Sequence, residues 1–208
     1  MPRKRNYDND YPSVTQVLDG LRKPALEYWF KANTPQFIEE ASRKGKTIGT
    51  QIHEAIDHFI ATGELKIDTE YPDEVTNALK GFALFRQEHP EIILRNSEKK
   101  MTSEKHQFNG TMDIEGENGC LMVGDWKTGQ AKEEERPSIY DEYRWQVSAY
   151  VNLFNEVTGQ NVNRAFIVAL AKDKVAYNLD YVEEAEIVES FENVFLPALK
   201  ICQYKRRK

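Results

Sequence analysis

Two strand-like runs separated by Asn118-Gly119 constrain this chain more than any other feature. Residues 107–114 and 121–127 are rich in β-forming side chains, and an Asn-Gly pair between such runs is a strong hairpin signal. Each run carries a carboxylate: Asp113 in Gly110-Thr111-Met112-Asp113, and Asp125 in Val123-Gly124-Asp125-Trp126-Lys127-Thr128-Gly129. Side chains alternate along a strand, so Asp125 and Lys127 share a face with Leu121 and Val123. The turn then decides where Asp113 points. A two-residue Asn118-Gly119 turn pairs Asp113 with Gly124 and sends its carboxylate to the other face. A three-residue turn, Glu117-Asn118-Gly119, pairs it with Val123, on the face of Asp125, and needs Gly119 in the left-handed region. The three-residue turn is the expected one.

Two converging carboxylates can hold a hard divalent cation, and Lys127 beside them can orient or deprotonate a bound water. Asp-Xaa-Lys alone is a weak pattern, because such residues at strand ends usually face solvent. Three features strengthen it. A second aspartate lies on the partner strand, and Gly110 and Gly124 are expected to leave the backbone accessible near both acids. Asp125 also follows the apolar run Leu121-Met122-Val123, where an unpaired carboxylate is costly.

Other residues admit two readings. His53, in Gly49-Thr50-Gln51-Ile52-His53-Glu54, is either a boundary histidine or a nitrogen ligand to the same ion; the second favours an ion accepting mixed N/O ligands, such as manganese. Gln146 and Tyr150, one helical turn apart, are either part of a half-buried face or a polar pair aimed at the hairpin. Glu98 and Glu104 precede the hairpin, and Glu98 is the better metal candidate because it ends an expected strand beside it. The run Lys132-Glu133-Glu134-Glu135-Arg136 reads as a solvated, mobile loop.

The apolar periodicity changes along the chain. Ser13 caps a helix start with Val14, Val17 and Leu18 inward, and a second helix spans 24–32. A long helix over 36–62, with a break near Gly45, carries Ile48, Ile52, Ile56 and Phe59. Another follows Tyr71-Pro72 with Val75, Leu79, Phe82 and Phe85, and stops before Pro90. Strands are expected at 92–94, 107–114, 121–127, 165–171 and 175–181, the last after a Lys172-Asp173-Lys174 turn, with helices at 140–157 and 183–205. This order predicts an α/β fold with a central mixed sheet flanked by helices and an N-terminal helical region. One domain is expected over 1–208, mainly helical at 11–90 and sheet-containing at 91–205.

The net charge of −6 argues against a broad surface that coats DNA nonspecifically. Positive charge is clustered in Met1-Pro2-Arg3-Lys4-Arg5, Lys99-Lys100 and Lys205-Arg206-Arg207-Lys208, any of which is a candidate phosphate contact. Two cysteines, Cys120 and Cys202, suggest a reducing compartment and cannot supply a four-cysteine cluster. No long apolar run or signal-peptide pattern is present, and a cytoplasmic location is expected, that of the host cell if the gene is a phage's.

Taken in order, a Gly-Thr-x-x-His helix, a Gly-x-x-Asp strand, an Asp-Trp-Lys-Thr strand and a Gln-x-x-x-Tyr helix resemble the RecB-type branch of the PD-(D/E)XK nucleases. Pro12-Ser13-Val14-Thr15-Gln16-Val17-Leu18, with Trp29 after it, resembles the mitochondrial genome maintenance exonucleases and their phage relatives. The resemblance covers about residues 11–155. It implies a restriction-endonuclease-like core and DNA cleavage dependent on Mg2+ or Mn2+, without an iron–sulfur cluster. His53, Asp113, Asp125 and the main-chain carbonyl of Trp126 would be metal ligands, Lys127 the catalytic lysine, and Gln146 and Tyr150 supports of DNA and the active site. It further implies single-stranded DNA degraded from a free end in phage or bacterial replication, recombination or repair. Any helicase, recombinase or single-strand-binding protein would be a separate partner, and no membrane is involved. A structure-specific endonuclease that cuts flaps or branches, and an inactive DNA-binding recombination accessory, are the competing readings.

Overall fold

A computed structural model describes Tyr7 and residues 9–206; the basic residues at the extreme N-terminus, with Arg207 and Lys208, lie outside the described residues. Helix α1 (Val14–Leu18) starts at Ser13, whose hydroxyl accepts from the Gln16 amide while the Gln16 side chain accepts from Ser13 N–H. This closed capping box is the expected cap made reciprocal. Helix α2 spans Pro24–Ala32. Thr34 and Pro35 start α3 (Pro35–Thr62), and Gly63, at φ 77°, ends it in the left-handed conformation. No break occurs at Gly45. A glycine inside a helix costs only about 1 kcal/mol, and the stripe Ile48, Ile52, Ala55 and Ile56 is buried beyond it. Helix α4 (Asp73–Glu88) buries Val75, Leu79, Phe82 and Phe85 as expected.

Five strands follow: β1 (Ile93–Ser103), β2 (Phe108–Glu117), β3 (Leu121–Gly129), β4 (Arg164–Ala171) and β5 (Tyr177–Glu183), in that spatial order. Only β3 and β4 run parallel, joined by the crossover helix α5 (Asp141–Thr158). The fold is α/β with a mixed sheet flanked by helices and an N-terminal helical region. From α4 to β4 its order is helix, three strands, helix, strand. One face of the sheet packs α1, α5 and the C-terminal helices around Val123, Phe108 and Ile167. The other packs α3 and α4 around Ile114, Met122, Trp126 and Phe166. Among the described residues no helix is long and apolar enough to cross a membrane.

Three further expectations need correction. Strand β1 is far longer than 92–94, because as an edge strand it carries Arg95, Lys99 and Lys100 and lacks apolar alternation. The closing helix is not continuous: α6 (Glu184–Ser190) and α7 (Leu196–Arg206) are joined by a π-helical turn, Phe191–Phe195, which stacks Phe191 on Phe195 and sets Phe195 4.9 Å from Phe108.

The third correction concerns the hairpin. The turn has three residues and Gly119 at φ 70°, as expected, but it comprises Asn118, Gly119 and Cys120, because Glu117 pairs with Leu121. Glycine therefore sits second in the turn, not third. The register moves by two residues, so the faces are preserved, and Asp113 stands opposite Asp125 instead of Val123. Pairing between β2 and β3 ends at Ile114–Gly124. Beyond it β2 stays with β1 while β3 continues along β4, so the two strands fork at the aspartates.

Candidate metal centre

The fork places three carboxylates in one cross-strand row. Ser97 pairs with Ile114 and Lys99 with Met112, so Glu98 stands across from Asp113, which stands across from Asp125. Glu98 lies inside β1 and not at its end, beside a register shift, with φ at 53°. A glutamate in this left-handed region is unusual, and the irregular backbone re-aims its side chain toward α3. There His53 Nδ1 lies 3.9 Å from Asp113 Oδ2 and 4.0 Å from Glu98 Oε1. Donor atoms of His53, Glu98 and Asp113 all fall within 4.8 Å of one another, the one such group among the described residues. Ligand atoms around a small divalent ion held at about 2.1 Å are separated by roughly 3–4.2 Å, so a slight contraction seats one. The donor set, two carboxylates and an imidazole, fits a divalent cation that accepts mixed N/O ligands.

Asp125 belongs to the other half of the centre. It is fully buried, its Oδ2 meets the Lys127 ammonium, and its Oδ1 accepts from Gln146 Nε2 at 3.3 Å. Asp113 Oδ2 also accepts the Trp126 amide at 3.2 Å. Burial pushes both aspartate carboxyls above the ordinary range, and their mutual repulsion adds to the rise on Asp125; Lys127 opposes it at both. Two buried acids that repel each other favour an added cation over both being ionised alone.

Helix α5 closes this half. Gln146 Oε1 accepts from Lys127 Nζ at 3.2 Å while its Nε2 donates to Tyr150 OH at 3.0 Å, and Lys127 lies over the Tyr143 ring at 5.2 Å. The polar pair is thus aimed at the hairpin, where Gln146 clamps Lys127 and Asp125 together, with buried Tyr150 behind it. Trp126 points away, into a cage of Phe82, Phe85 and Phe166, which fixes β3 from the opposite face. Its Nε1 is buried without a hydrogen-bond partner among the described residues.

Some neighbours behave differently from expectation. Gly110 and Gly124 do not leave backbone open. A Cβ at Gly124 would lie 2.2 Å from the Phe166 ring, and one at Gly110 would lie 2.6 Å from Leu153 and 3.1 Å from Tyr150. They are glycines because aromatic and aliphatic side chains occupy the space. Glu104 accepts from Tyr11 OH and lies outside the acidic group. The 132–136 segment is pinned, not free: Asp173 accepts from the Ala131 and Lys132 amides, and Lys174 donates to the Lys132 and Glu134 carbonyls. Lys99 is occupied by Glu115 and the Phe154 ring.

The centre floors an open groove of about 1290 Å³. One wall is α3, with Arg43, Lys46, Thr47 and Thr50; the other is the N-terminal segment, with Tyr7, Asn9 and Tyr11, joined by Arg206 of α7. Of the basic clusters in the sequence, only the tail reaches this groove within the described residues. Arg43, Lys46 and the two tyrosines escaped notice in the sequence. The spacing of residues 43, 46, 47, 50 and 53, opposite the Ile48-Ile52-Ile56 stripe, is the signal that marks that wall.

No family model matches this chain, and no curated protein does. Among solved structures it is similar to SSO0001, at 14% identity and a TM-score of 0.45, covering 91% of this chain and 77% of that one. It is also similar to the alkaline exonuclease LHK-Exo from Laribacter hongkongensis, at 15% identity and a TM-score of 0.41, covering 95% of this chain and 92% of that one. The complex of LHK-Exo with dAMP aligns over the same shares at 16% identity and a TM-score of 0.39.

Proposed function

We propose that this chain is a divalent-metal-dependent DNA exonuclease, folded as a single nuclease domain, that acts on single strands from a free end. The observation that carries this reading is the row Glu98, Asp113, Asp125 flanked by His53 on one side and Lys127 on the other, with His53, Asp113 and Lys127 lining a groove. His53, Asp113 and Asp125, with Glu98 and the Trp126 main-chain carbonyl, would hold the ion. When bound, Mg2+ or Mn2+ supplies Lewis acidity toward a phosphate oxygen and neutralises charge on the leaving oxygen. Lys127 orients the attacking water and faces the negative charge that develops at phosphorus. Gln146 keeps Lys127 against Asp125 while the substrate enters, and Tyr150 fixes Gln146.

Purified protein incubated with end-labelled oligonucleotides and Mg2+ or Mn2+ tests the reading. Stepwise loss of nucleotides is expected from linear single strands, with closed circular single-stranded DNA left intact. Cleavage that survives chelation, or that persists in Asp125→Asn and Lys127→Ala, refutes the mechanism; cutting of the circle refutes the exonuclease.

A further inference from the structure

We propose that α3 carries a phosphate rail, Arg43 and Lys46, and that the facing segment supplies a stacking surface, Tyr11, so that a single nucleic-acid strand is gripped by its backbone on one wall and its bases on the other. The inference rests on the nucleic-acid reading of the metal centre, but its readout does not depend on cleavage. Helix α3 is unbroken from Pro35 to Thr62, so the ten-residue step from Arg43 to His53 spans about 15 Å. That distance accommodates roughly two to four phosphates of one strand. The rail therefore contacts phosphates several nucleotides removed from the one at the metal centre.

Groove position and charge pairing together mark these two cations on α3. Lys44, next to them, is bound to Glu74, and Arg22, Lys23, Arg95, Lys99, Arg144 and Arg164 each meet a carboxylate. Arg43 and Lys46 line the groove and meet no carboxylate among the described residues, in a chain whose net charge is −6. Asp10 and Glu54 line the same groove, so it is no general anion sink; its positive charge is concentrated on this stretch of α3 and on Arg206. Across from it the N-terminal segment is tied down by Asn109. The Asn109 amide nitrogen donates to Asn9 Oδ1 and Tyr11 O, and its backbone N–H donates to Pro12 O. Tyr11 OH donates to Glu104, which anchors the phenol end and leaves the ring on the groove wall. Cations on one side and an aromatic ring on the other are the elements of a sequence-tolerant grip on a single strand.

The test is binding of a dye-labelled oligothymidylate in EDTA across a salt series. Arg43→Gln/Lys46→Gln is expected to weaken binding about tenfold or more and to reduce the slope of log affinity on log salt by roughly 1–1.5, since each lost phosphate contact removes about 0.7. Tyr11→Ala should weaken binding severalfold at unchanged slope, and Tyr11→Phe should bind as wild type. Lys66→Gln, an exposed lysine outside the groove, serves as control, and matched melting temperatures exclude unfolding. An unchanged slope in the double variant overturns the rail, and unchanged affinity in Tyr11→Ala overturns the stacking wall. Absence of cleavage by wild-type protein that binds normally would sink the nuclease reading and leave this one standing.

Discussion

Glu98 faces Asp113 across the β1–β2 ladder from a backbone conformation that glutamate rarely adopts. The residue sits at φ 53° where its neighbours are extended, and its carboxylate reaches the histidine of a helix on the opposite side of the fork. A left-handed conformation costs a side-chain-bearing residue about 1–2 kcal/mol, so this geometry is maintained against a local penalty.

Two variants separate the side chain from the backbone. Glu98→Gln should lower Mn2+ affinity at least about tenfold by calorimetric titration, a loss of the size seen when groups around a metal are altered. Glu98→Gly should lose the same affinity yet raise the melting temperature of chelated protein, because the left-handed backbone is free for glycine. Manganese affinity unchanged in both would remove Glu98 from the centre.

Asp113 and Asp125 make metal-free protein sensitive to pH in an uncommon direction. Both carboxyls titrate above their ordinary value in the fold, Asp125 at about 7, so folded protein retains protons that the unfolded chain has released. Their contribution to stability is full below about pH 4 and is lost as pH rises toward 7. In EDTA, Asp125→Asn should flatten that decline and gain roughly 1–2 kcal/mol near pH 7.5, since a tenfold change in proton affinity is worth about 1.4 kcal/mol. Melting curves from pH 4 to 8 check this; a variant that is less stable at pH 7.5 would contradict it.

Gln146 touches Lys127, Asp125 and Tyr150 at once. Gln146→Leu should depress kcat roughly 10–100-fold with KM nearly unchanged, because the substrate-binding walls stay in place and only the lysine loses its anchor. Tyr150→Phe removes one hydrogen bond, worth about 1 kcal/mol, and should cost about fivefold. Steady-state kinetics on a labelled oligonucleotide measure both, and a KM-dominated defect in Gln146→Leu would instead place that residue on the DNA.

Gly124 lies against the Phe166 ring and the Ile114 side chain. Gly124→Ala should destabilise the protein by about 1–3 kcal/mol through overpacking. Gly124→Ala/Phe166→Leu should regain part of that, since the ring is the nearest obstacle. Urea denaturation of the two variants decides between this steric account and one in which the glycine serves backbone access.

Elements governed by local rules were legible in the sequence. The Ser13 cap and the helix after it, and the odd-length turn around Gly119, each follow from chemistry within a few residues. The convergence of Asp113 and Asp125 followed from strand alternation together with an odd-length turn, and it survived a two-residue error in register because the error was even. What escaped depends on distant partners. Strand β1 has no apolar alternation to reveal it, so the place of Glu98 inside it could not be read. Gly110 and Gly124 looked like open backbone, although Leu153, Tyr150 and Phe166 fill the space beside them. Asp173 and Lys174 hold a loop some forty residues away by bonds to main-chain groups, which no side-chain pattern records.

The short stem between β2 and β3 works as a vernier for the acids beyond it. Inserting or deleting one residue in the paired stem, within 114–117 or 121–124, would turn one of the two aspartates to the opposite face, while a change of two would keep both facing inward but slide one past the other by one rung, about 6.8 Å. The chemistry therefore fixes the length of the stem, whereas the 118–120 turn is free to lengthen so long as Glu117 still meets Leu121.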